Sequence, residues 1–416
     1  MKLVGSAVRK FRLGLLTGIC GMSLMEFIGD FLDGYTKRCT ARFHMPGHKG
    51  CGFAHDITEI AGAGNLYSDE GIVALSEQVT AGLYGVARTF FSAGGSTLCI
   101  QTMLLFVKRM GRRVVAVRNV HKAFVNAAAL LDLDVCWFMP DYNTHISGEI
   151  DLVKLKAQMR EGDCLYVTSP DYLGKIADIK ALSDICHEFN ALLLVDSAHG
   201  AHLAFMPENL HPIHLGADLC CDSAHKMLPV LTGGAFLHTN ENYDLKADME
   251  VFGSSSPSYL ILESLDKCNT YIKEKIRSDI AVRLAIIAEL KRKLPKYNFY
   301  GDDPFHITLM GIDGLSFARQ LDSYGIVCEY ADEFCILFLA SPVTPFEDFI
   351  RLRKALELLE PCPSAAEYKP PSLPEKKMSM HEALLGQQIP EDRICRRVSV
   401  TCPPCVPTVM PGEKFP

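Results

Sequence analysis

The stretch Ala217-Asp-Leu-Cys-Cys-Asp-Ser-Ala-His-Lys226, continued by Met-Leu-Pro-Val-Leu-Thr-Gly-Gly-Ala-Phe-Leu-His238, predicts two buried strands with one lysine between them. An apolar run ends in small and polar residues before Lys226, and a second such run follows Pro229 and the Gly-Gly pair. An unpaired ammonium in a protein core is costly, so this lysine either extends to solvent or is retained for chemistry. The neutral amine of a buried lysine can form an imine with an aldehyde.

A second acidic strand end lies upstream of this lysine. The run Ala191-Leu-Leu-Leu-Val-Asp196 predicts a buried strand that ends on a carboxylate, and Ser-Ala-His199-Gly follows it. A strand with an acid at its tip, followed by a strand and a lysine, is the order that a pyridoxal 5'-phosphate enzyme needs.

The middle of the chain alternates strand-like and helix-like stretches. Predicted strands cover residues 114–119, 135–139, 164–170, 191–196 and the run that ends at 222. Repeated strand–helix units predict a mainly parallel sheet with ligands at the carboxyl ends of its strands. His121, Tyr172, Asp196, His199 and Lys226 each follow such a strand, and this shared placement predicts one site.

A candidate anion site precedes these strands. Gly94-Gly95-Ser96-Thr97 opens a predicted helix over residues 98–110. The free N–H groups and the positive end of a helix face an anion at such a position, and the hydroxyls add donors. An ordinary Ser-Thr helix cap is the alternative explanation.

Composition limits the class of protein. The chain has 416 residues, of which 48% are apolar and 22% are charged, with a net charge of −7. These values predict a globular protein of two domains with extensions, and no electrostatic attraction to nucleic acid or anionic membranes. No apolar run is long enough to span a bilayer.

Most of the 16 cysteines lie in apolar runs. We therefore expect them to be small buried side chains of a protein in a reducing cytoplasm.

The predicted domains follow from shifts in composition. They are an extension over 1–22, an N-terminal arm over 23–65 with a helix capped by Ser23, a major domain over 66–270, a small α+β domain over 271–360 that opens with a long helix over 271–294, a linker over 361–378 and a terminal segment over 379–416. The pair Cys402-Pro-Pro-Cys405 could be redox-active or bind a metal. It has no companion Cys-x-x-Cys at zinc spacing, so we predict no metal site.

Several motifs together resemble one family, the ornithine/lysine/arginine decarboxylases. They are Phe43-His-Met-Pro-Gly-His-Lys-Gly50, Gly95-Ser-Thr97, Val195-Asp-Ser-Ala-His-Gly-Ala-His202, Ser223-Ala-His-Lys-Met-Leu-Pro-Val-Leu-Thr232, Ser254-Ser-Ser-Pro-Ser-Tyr259 and Pro411-Gly-Glu413. The resemblance implies an α/β fold of the aspartate aminotransferase type. Its major domain would hold a mainly parallel, seven-stranded sheet beside a small α+β domain. It also implies pyridoxal 5'-phosphate as the cofactor, an amino acid substrate and a homodimer or larger homo-oligomer.

The resemblance implies a role for each matching residue. Lys226 would carry the cofactor, Asp196 would pair with its pyridine nitrogen, and His199 would lie near the substrate carboxylate. His121 and Ala198 would cover the two faces of the ring. The cofactor phosphate would be bound by residues of two segments, namely Gly95, Ser96, Thr97, Ser223 and His225. His202 is either a further site residue or a hydrogen-bonded core histidine.

The chain also departs from the family pattern. Ser197 stands where an acidic residue is usual, and Cys402-Pro-Pro-Cys-Val-Pro407 replaces an expected Tyr-Pro-Pro-Gly-Ile-Pro. The resemblance is to a short form without an N-terminal wing domain and with a truncated C-terminal domain. Three functions therefore stay open: a basic amino acid decarboxylase, another reaction on the same fold such as transamination or aldol cleavage, and a non-catalytic cofactor-binding homologue.

The substrate side chain is not determined by any motif. Glu329 and Asp332 are candidates for binding it, because residues of the small domain often close over such sites. A solvated charged loop is the alternative interpretation of these two acids.

Overall fold

The structure, a computed structural model, describes residues 26–387, 393–398, 400 and 403–415. The predicted extension over 1–22, the Ser23 cap and Cys402 lie outside the described residues.

A seven-stranded sheet forms the centre of the molecule, in the order β1-β9-β8-β7-β6-β2-β3. Its strands are β1 (Arg88–Ser92), β2 (Val114–Val117), β3 (Val135–Phe138), β6 (Cys164–Thr168), β7 (Leu192–Asp196), β8 (Leu219–Asp222) and β9 (Ala235–Thr239). The strands β8, β7, β6, β2 and β3 are parallel, whereas β9 runs antiparallel to both of its neighbours. The predicted mainly parallel sheet is therefore confirmed.

Helices cover both faces of this sheet, which is why its strands are continuous apolar runs rather than alternating ones. Every residue of β7 and of β8 is buried. The helices of this part are α1 (Phe27–Lys37), α2 (Ile72–Tyr84), α3 (Gly95–Arg109), α4 (Lys122–Leu130), α5 (Leu152–Gln158), α6 (Ile179–Glu188), α7 (Ala224–Met227), α8 (Lys246–Phe252) and α9 (Tyr259–Glu274). A two-stranded ribbon, β4 (Asp141–Tyr142) with β5 (Gly148–Glu149), lies between β3 and α5. None of the described helices is both long and apolar enough to cross a bilayer.

A second sheet, antiparallel and four-stranded, has the order β10-β11-β13-β12. Its strands are β10 (Asn298–Tyr300), β11 (His306–Met310), β12 (Tyr330–Ala331) and β13 (Cys335–Leu339), and its helices are α10 (Ile276–Lys293), α11 (Gly314–Asp322) and α12 (Phe346–Leu358). The sequence contains strand-like apolar runs at 307–310 and 335–339, which correspond to β11 and β13. The sequence pattern missed β10 and β12, which are 3 and 2 residues long, because so few residues carry no detectable alternation.

Two differences from the predicted helices concern their bounds, and a third is a helix that was not predicted. The first helix of the described residues begins at Phe27 with Glu26 as its N-cap, whereas the predicted cap, Ser23, lies outside those residues. The predicted long helix over 271–294 is instead the end of α9 followed by α10, because the backbone leaves helical geometry at Lys275 while the apolar periodicity continues across it. The terminal segment contains an unpredicted helix, α13 (Met380–Leu385), which begins with a capping box.

The second sheet is fixed to the first through the turn after β6. The backbone N–H groups of Asp302 and Asp303 donate to the carbonyl of Gly174 at 2.8 and 2.9 Å, and the Thr308 hydroxyl donates to the carbonyl of Leu173 at 3.0 Å. Gly174 has φ +90°, and a Cβ there would lie 2.4 Å from the Cβ of His306. Only glycine permits this close approach, which places β11 against the carboxyl ends of the parallel strands.

Candidate active site

The ten residues to which the resemblance assigns a role at the cofactor all line one cavity of about 300 Å³ at the carboxyl ends of the parallel strands, whereas His202 and Asp332 do not line it. These residues are Gly95, Ser96, Thr97, His121, Asp196, Ala198, His199, Ser223, His225 and Lys226. The same cavity is also lined by Asn119, Thr168 and the segment 403–406, which no sequence motif assigned to the site. Glu329 also lines it. The structure thus brings the predicted residues together, while their individual roles stay predictions.

Lys226 lies in the short helix α7, immediately after β8, and its side chain is largely enclosed. Its Nζ lies 3.0 Å from Nε2 of His199. Burial lowers the pKa of Lys226, and the carboxylate of Asp196 opposes this effect. A lysine in such surroundings has a larger neutral fraction, which is the form that attacks a carbonyl carbon.

Asp196 is the last residue of β7 and is buried. Its Oδ1 accepts the backbone N–H of Ala198 at 3.2 Å, and its Oδ2 accepts the hydroxyl of Tyr166 at 3.3 Å. Burial raises the pKa of Asp196, while the charge of Lys226 lowers it. An enclosed carboxylate of this kind favours a cationic partner in the cavity.

His121 is the N-cap of α4, and its Nδ1 accepts the backbone N–H of Ala123 at 3.1 Å. This bond leaves the proton on Nε2. Burial, together with the charge of Lys226, lowers the pKa of His121 to about 4. The ring in the cavity wall is therefore neutral, with an aromatic face available for stacking.

Two segments of the chain form the end of the cavity at which the sequence predicts an anion site. The helix α3 begins at Gly95, three residues before its predicted start, so Gly95, Ser96 and Thr97 form its first turn. The hydroxyls of Ser96 and Ser223 lie 2.7 Å apart, which joins this turn to the residue after β8. The positive end of a 15-residue helix and these hydroxyls provide the donors that a phosphate requires.

The terminal segment closes one wall of the cavity. Residues 403–406 line it, and the carbonyl of Cys405 accepts the backbone N–H of Lys122 at 2.8 Å. Cys405 has φ +57°, in the left-handed region, where glycine is favoured. The glycine that the family pattern carries at this position thus fits the backbone, and the cysteine is strained.

An ion pair buried below this wall anchors it. Arg118, which follows β2, donates from Nη1 to Oε1 of Glu413 at 2.8 Å and from Nη2 to Oε2 of the same carboxylate. The two side chains are 2% and 4% exposed. Arg118 also donates to the carbonyl of Thr408 at 3.1 Å and lies over the ring of Trp137. The Pro-Gly-Glu413 motif was the only sequence signal for this contact, and nothing in the sequence marked Arg118.

The two acidic candidates of the small domain differ in position. Glu329 lines the cavity, and its Oε1 accepts the hydroxyl of Tyr172 at 2.6 Å. Asp332 is instead occupied by its own turn, where its Oδ1 accepts the backbone N–H groups of Phe334 and Cys335 at 2.7 and 2.8 Å. Of these two acids, Glu329 is therefore the one whose carboxylate lines the cavity beside Lys226.

A separate buried cluster lies beneath the site and is explained by hydrogen bonds. His211 Nε2 and His238 Nε2 lie 2.9 and 3.2 Å from Oδ2 of Asp222, and Cys220 is near. His211 Nδ1 accepts the backbone N–H of Ile213, so its proton is on Nε2, which donates to Asp222. A donating Nε2 is not a metal ligand.

Comparisons with known proteins identify the family. A family model described as the Orn/Lys/Arg decarboxylase major domain matches residues 50–299, which is more than half of the chain. The protein therefore belongs to the Orn/Lys/Arg decarboxylase family. It is a pyridoxal 5'-phosphate-dependent amino acid decarboxylase, which confirms the resemblance, the class of enzyme and the cofactor inferred from the sequence.

Individual relatives are distant but extend over most of the chain. The uncharacterized protein YaaO of Bacillus subtilis is 27% identical over 92% of this chain and 90% of its own. An arginine decarboxylase of the same organism is 26% identical over 92% and 89%. The crystal structure of the lysine decarboxylase LdcF of Francisella novicida has a TM-score of 0.80 and 18% identity, covering 94% of this chain and 75% of that one, and it shows the shared fold.

The cavity fits the cofactor on its own evidence. Two buried polar atoms in its wall, Oδ1 of Asn119 and Oγ1 of Thr168, have no hydrogen-bond partner within the described protein. Buried polar atoms are rarely left unsatisfied, and a ligand that carries oxygen and nitrogen atoms would supply their partners. A lysine, an enclosed acid and a helix N-terminus line the same space, matching the aldehyde, the ring nitrogen and the phosphate of the cofactor.

We expect Glu413→Gln to lower the free energy of unfolding by about 3 kcal/mol, because it leaves the buried Arg118 guanidinium without its counter-charge. Denaturant titration followed by fluorescence measures this change. The matched control is Glu188→Gln, which breaks an exposed pair with Lys156 and should change stability by less than about 0.5 kcal/mol. Equal effects of the two substitutions would contradict the anchoring role of Glu413.

Proposed function

We propose that this enzyme removes the α-carboxylate of a basic amino acid (lysine, arginine or ornithine), releasing carbon dioxide and the corresponding amine. The observation that carries the proposal is the Glu329 carboxylate in the wall of the cavity that holds Lys226. Such an acid pairs with the distal cation of a basic side chain. The names of the arginine and lysine decarboxylases among the similar proteins support the same substrate class.

We assign the cofactor contacts to the predicted residues. When bound, pyridoxal 5'-phosphate supplies an electron sink for the charge left at Cα by the departing carbon dioxide. Lys226 would carry it covalently, and Asp196 would hold a proton on its ring nitrogen. His121 and Ala198 would lie against its two faces, with the His121 ring neutral at physiological pH.

The phosphate would be bound by the first turn of α3 and by the segment that leads to Lys226. Ser96, Thr97 and Ser223 provide hydroxyl donors. His225 donates from Nδ1 to the carbonyl of Gly234 at 2.9 Å, so it donates to a phosphate through Nε2 only as the imidazolium ion. Burial lowers the pKa of His225 in the protein alone, and a bound dianion would raise it.

The wall of the cavity favours loss of the carboxylate over its retention. A transaminase uses a permanent cation, usually an arginine, to retain the substrate carboxylate. No arginine is present among the described residues that line this cavity. Enclosing a carboxylate without a counter-charge destabilises its charged ground state. His199, in contact with Lys226, would lie near this carboxylate.

The function is tested by carbon dioxide release from purified protein with pyridoxal 5'-phosphate, offering lysine, arginine and ornithine separately. We expect one of them to yield carbon dioxide and the matching amine. Lys226→Ala should lose both the visible absorbance of the lysine–cofactor bond and all turnover. If the protein shows the absorbance of bound cofactor but releases no carbon dioxide from lysine, arginine or ornithine, the substrate assignment is overturned.

We expect Glu329→Gln to lower kcat/KM for the preferred substrate about 30-fold, or about 2 kcal/mol, because the distal cation loses its counter-charge. The control is Asp332→Asn, three residues along the same chain, which should leave kcat/KM nearly unchanged. Steady-state kinetics with the preferred amino acid and with neutral norleucine separate the two. A loss that is equal for both amino acids would exclude recognition of charge by Glu329.

We also propose that the protein forms a homodimer through its N-terminal arm. Three apolar side chains of the arm are exposed, with Phe43 at 98%, Met45 at 65% and Phe53 at 57%. These exposed apolar side chains are close together in the sequence, and we assign them to the dimer interface. The segment 254–258 shares a cleft with Gly94, the residue before α3, so a second copy seated there would lie next to the phosphate end of the cavity. Most of the described cysteines are buried, which accords with the reducing cytoplasm that we propose as the location.

Sedimentation velocity of the purified protein should give twice the chain mass of 46.0 kDa. The double substitution Phe43→Ser with Phe53→Ser should shift the population towards monomer at the same concentration. Val327→Ser provides the control, because Val327 is 91% exposed but lies outside the arm. If the double substitution and Val327→Ser weaken the dimer equally, or if neither weakens it, the interface does not lie in the arm.

A further inference from the structure

An unbroken row of hydrogen bonds leads from Lys226 into the small domain. His199 Nε2 lies 3.0 Å from Nζ of Lys226, and its Nδ1 lies 3.0 Å from Nε2 of His306. His306 Nδ1 lies 2.9 Å from Oδ2 of Asp303. His199, His306 and Asp303 are all buried. Neither the family resemblance nor any predicted motif accounts for His306 and Asp303.

The protonation of each ring follows from the acid at the end of the row. A carboxylate only accepts hydrogen bonds, so His306 carries a proton on Nδ1, and in the neutral tautomer its Nε2 is an acceptor. His199 must then donate from Nδ1, which leaves the lone pair of its Nε2 directed at Nζ of Lys226. Burial, together with the charge of Lys226, lowers the pKa of His199 well below its usual value, so the ring is neutral before any proton transfer.

Asp303 is held as an anion. Burial alone would raise the pKa of Asp303, but His202 and His306 lower it well below its usual range. Its Oδ1 lies 3.2 Å from Nε2 of His202. Asp303 therefore has two histidine partners, of which only His306 contacts His199.

We propose that His306 and Asp303 are positioning residues that hold His199 as the proton acceptor of Lys226. In the step concerned, the Lys226 ammonium gives one proton to Nε2 of His199, leaving a neutral amine and an imidazolium ion. The carboxylate of Asp303 stabilises this imidazolium through His306, as the acid of a catalytic triad does for its histidine. The inference rests on the proposed function, since it concerns the same lysine.

The connection between the two sheets supports this role. Gly174 leaves no space for a side chain beside His306, and its carbonyl accepts the backbone N–H of Asp303. The position of the His306 ring is thus fixed by the turn that follows β6, a strand of the sheet that carries the site. Such rigid support is what an orienting residue requires, because a small displacement would break its bond to His199.

The test compares two substitutions that each remove one partner of Asp303. We expect His306→Phe to lower kcat about 100-fold with little change in KM. We expect His202→Phe to leave kcat within about twofold of the wild type. Thermal denaturation of both variants measures their stability. Equal losses of kcat in the two variants at equal stability would overturn the proposal, because they would show that both histidines act only as structural partners of Asp303.

The conservative variant His306→Gln keeps the geometry without a titrating ring. Its amide can accept from His199 and donate to Asp303, so we expect kcat to recover to within about fivefold of the wild type. It also serves if the phenylalanine variant fails to fold. A glutamine variant as impaired as His306→Phe would overturn a positioning role.

A second measurement does not depend on turnover. In cofactor-free protein, the rate at which an amine-reactive reagent modifies Lys226, followed by peptide mass spectrometry, reports the neutral fraction of the lysine. We expect His306→Phe to slow this labelling about tenfold, equivalent to a rise of one pKa unit, and His202→Phe to leave it unchanged. If His306→Phe is labelled as fast as the wild type, the inference is overturned. If His306→Phe is labelled more slowly, as expected, but the wild-type enzyme decarboxylates none of the amino acids offered, the result counts only against the proposed substrate.

Discussion

The enclosure of one lysine ammonium at the end of β8 constrains the rest of the site. Such a cation is stable in a poorly solvated cavity only if an anion faces it and its other neighbours carry no positive charge. Asp196 meets the first condition from the neighbouring strand. His121 and His199 meet the second, because burial keeps both rings neutral. Burial still lowers the pKa of Lys226 despite Asp196, so the neutral and nucleophilic form of the amine is more populated than in water.

Sheet topology explains how these groups meet. The parallel strands all end at one edge, so the residues after β2, β6, β7 and β8 converge there. The antiparallel strand β9 adds the other half of the site, because the turn that leads into it returns to the start of α3. At that point the carbonyl of Gly233 accepts the backbone N–H of Gly95 at 2.7 Å. Lys226 and the first turn of α3 are thereby held in fixed positions relative to each other.

Local patterns predicted the parts of the site that local structure determines. Asp196 ends one strand with a clear apolar run, Lys226 follows another, and His121 caps a helix, so their placement could be predicted from the sequence. The choice between Glu329 and Asp332 could not, because it depends on which acid is occupied by its own turn. His306 could not be predicted from the sequence for a similar reason. It is 107 residues from His199, and no spacing rule connects them.

The anchored terminal wall has a consequence for how the molecule assembles. Arg118 and Glu413 are separated by 295 residues, so the ends of a very long loop must meet before their interaction contributes any stability. The parallel sheet, whose contacts are closer in sequence, can form first. Completion of the cofactor cavity is then a late event in folding, and a nearly folded chain would already contain the lysine and its acid while still lacking the wall that encloses them.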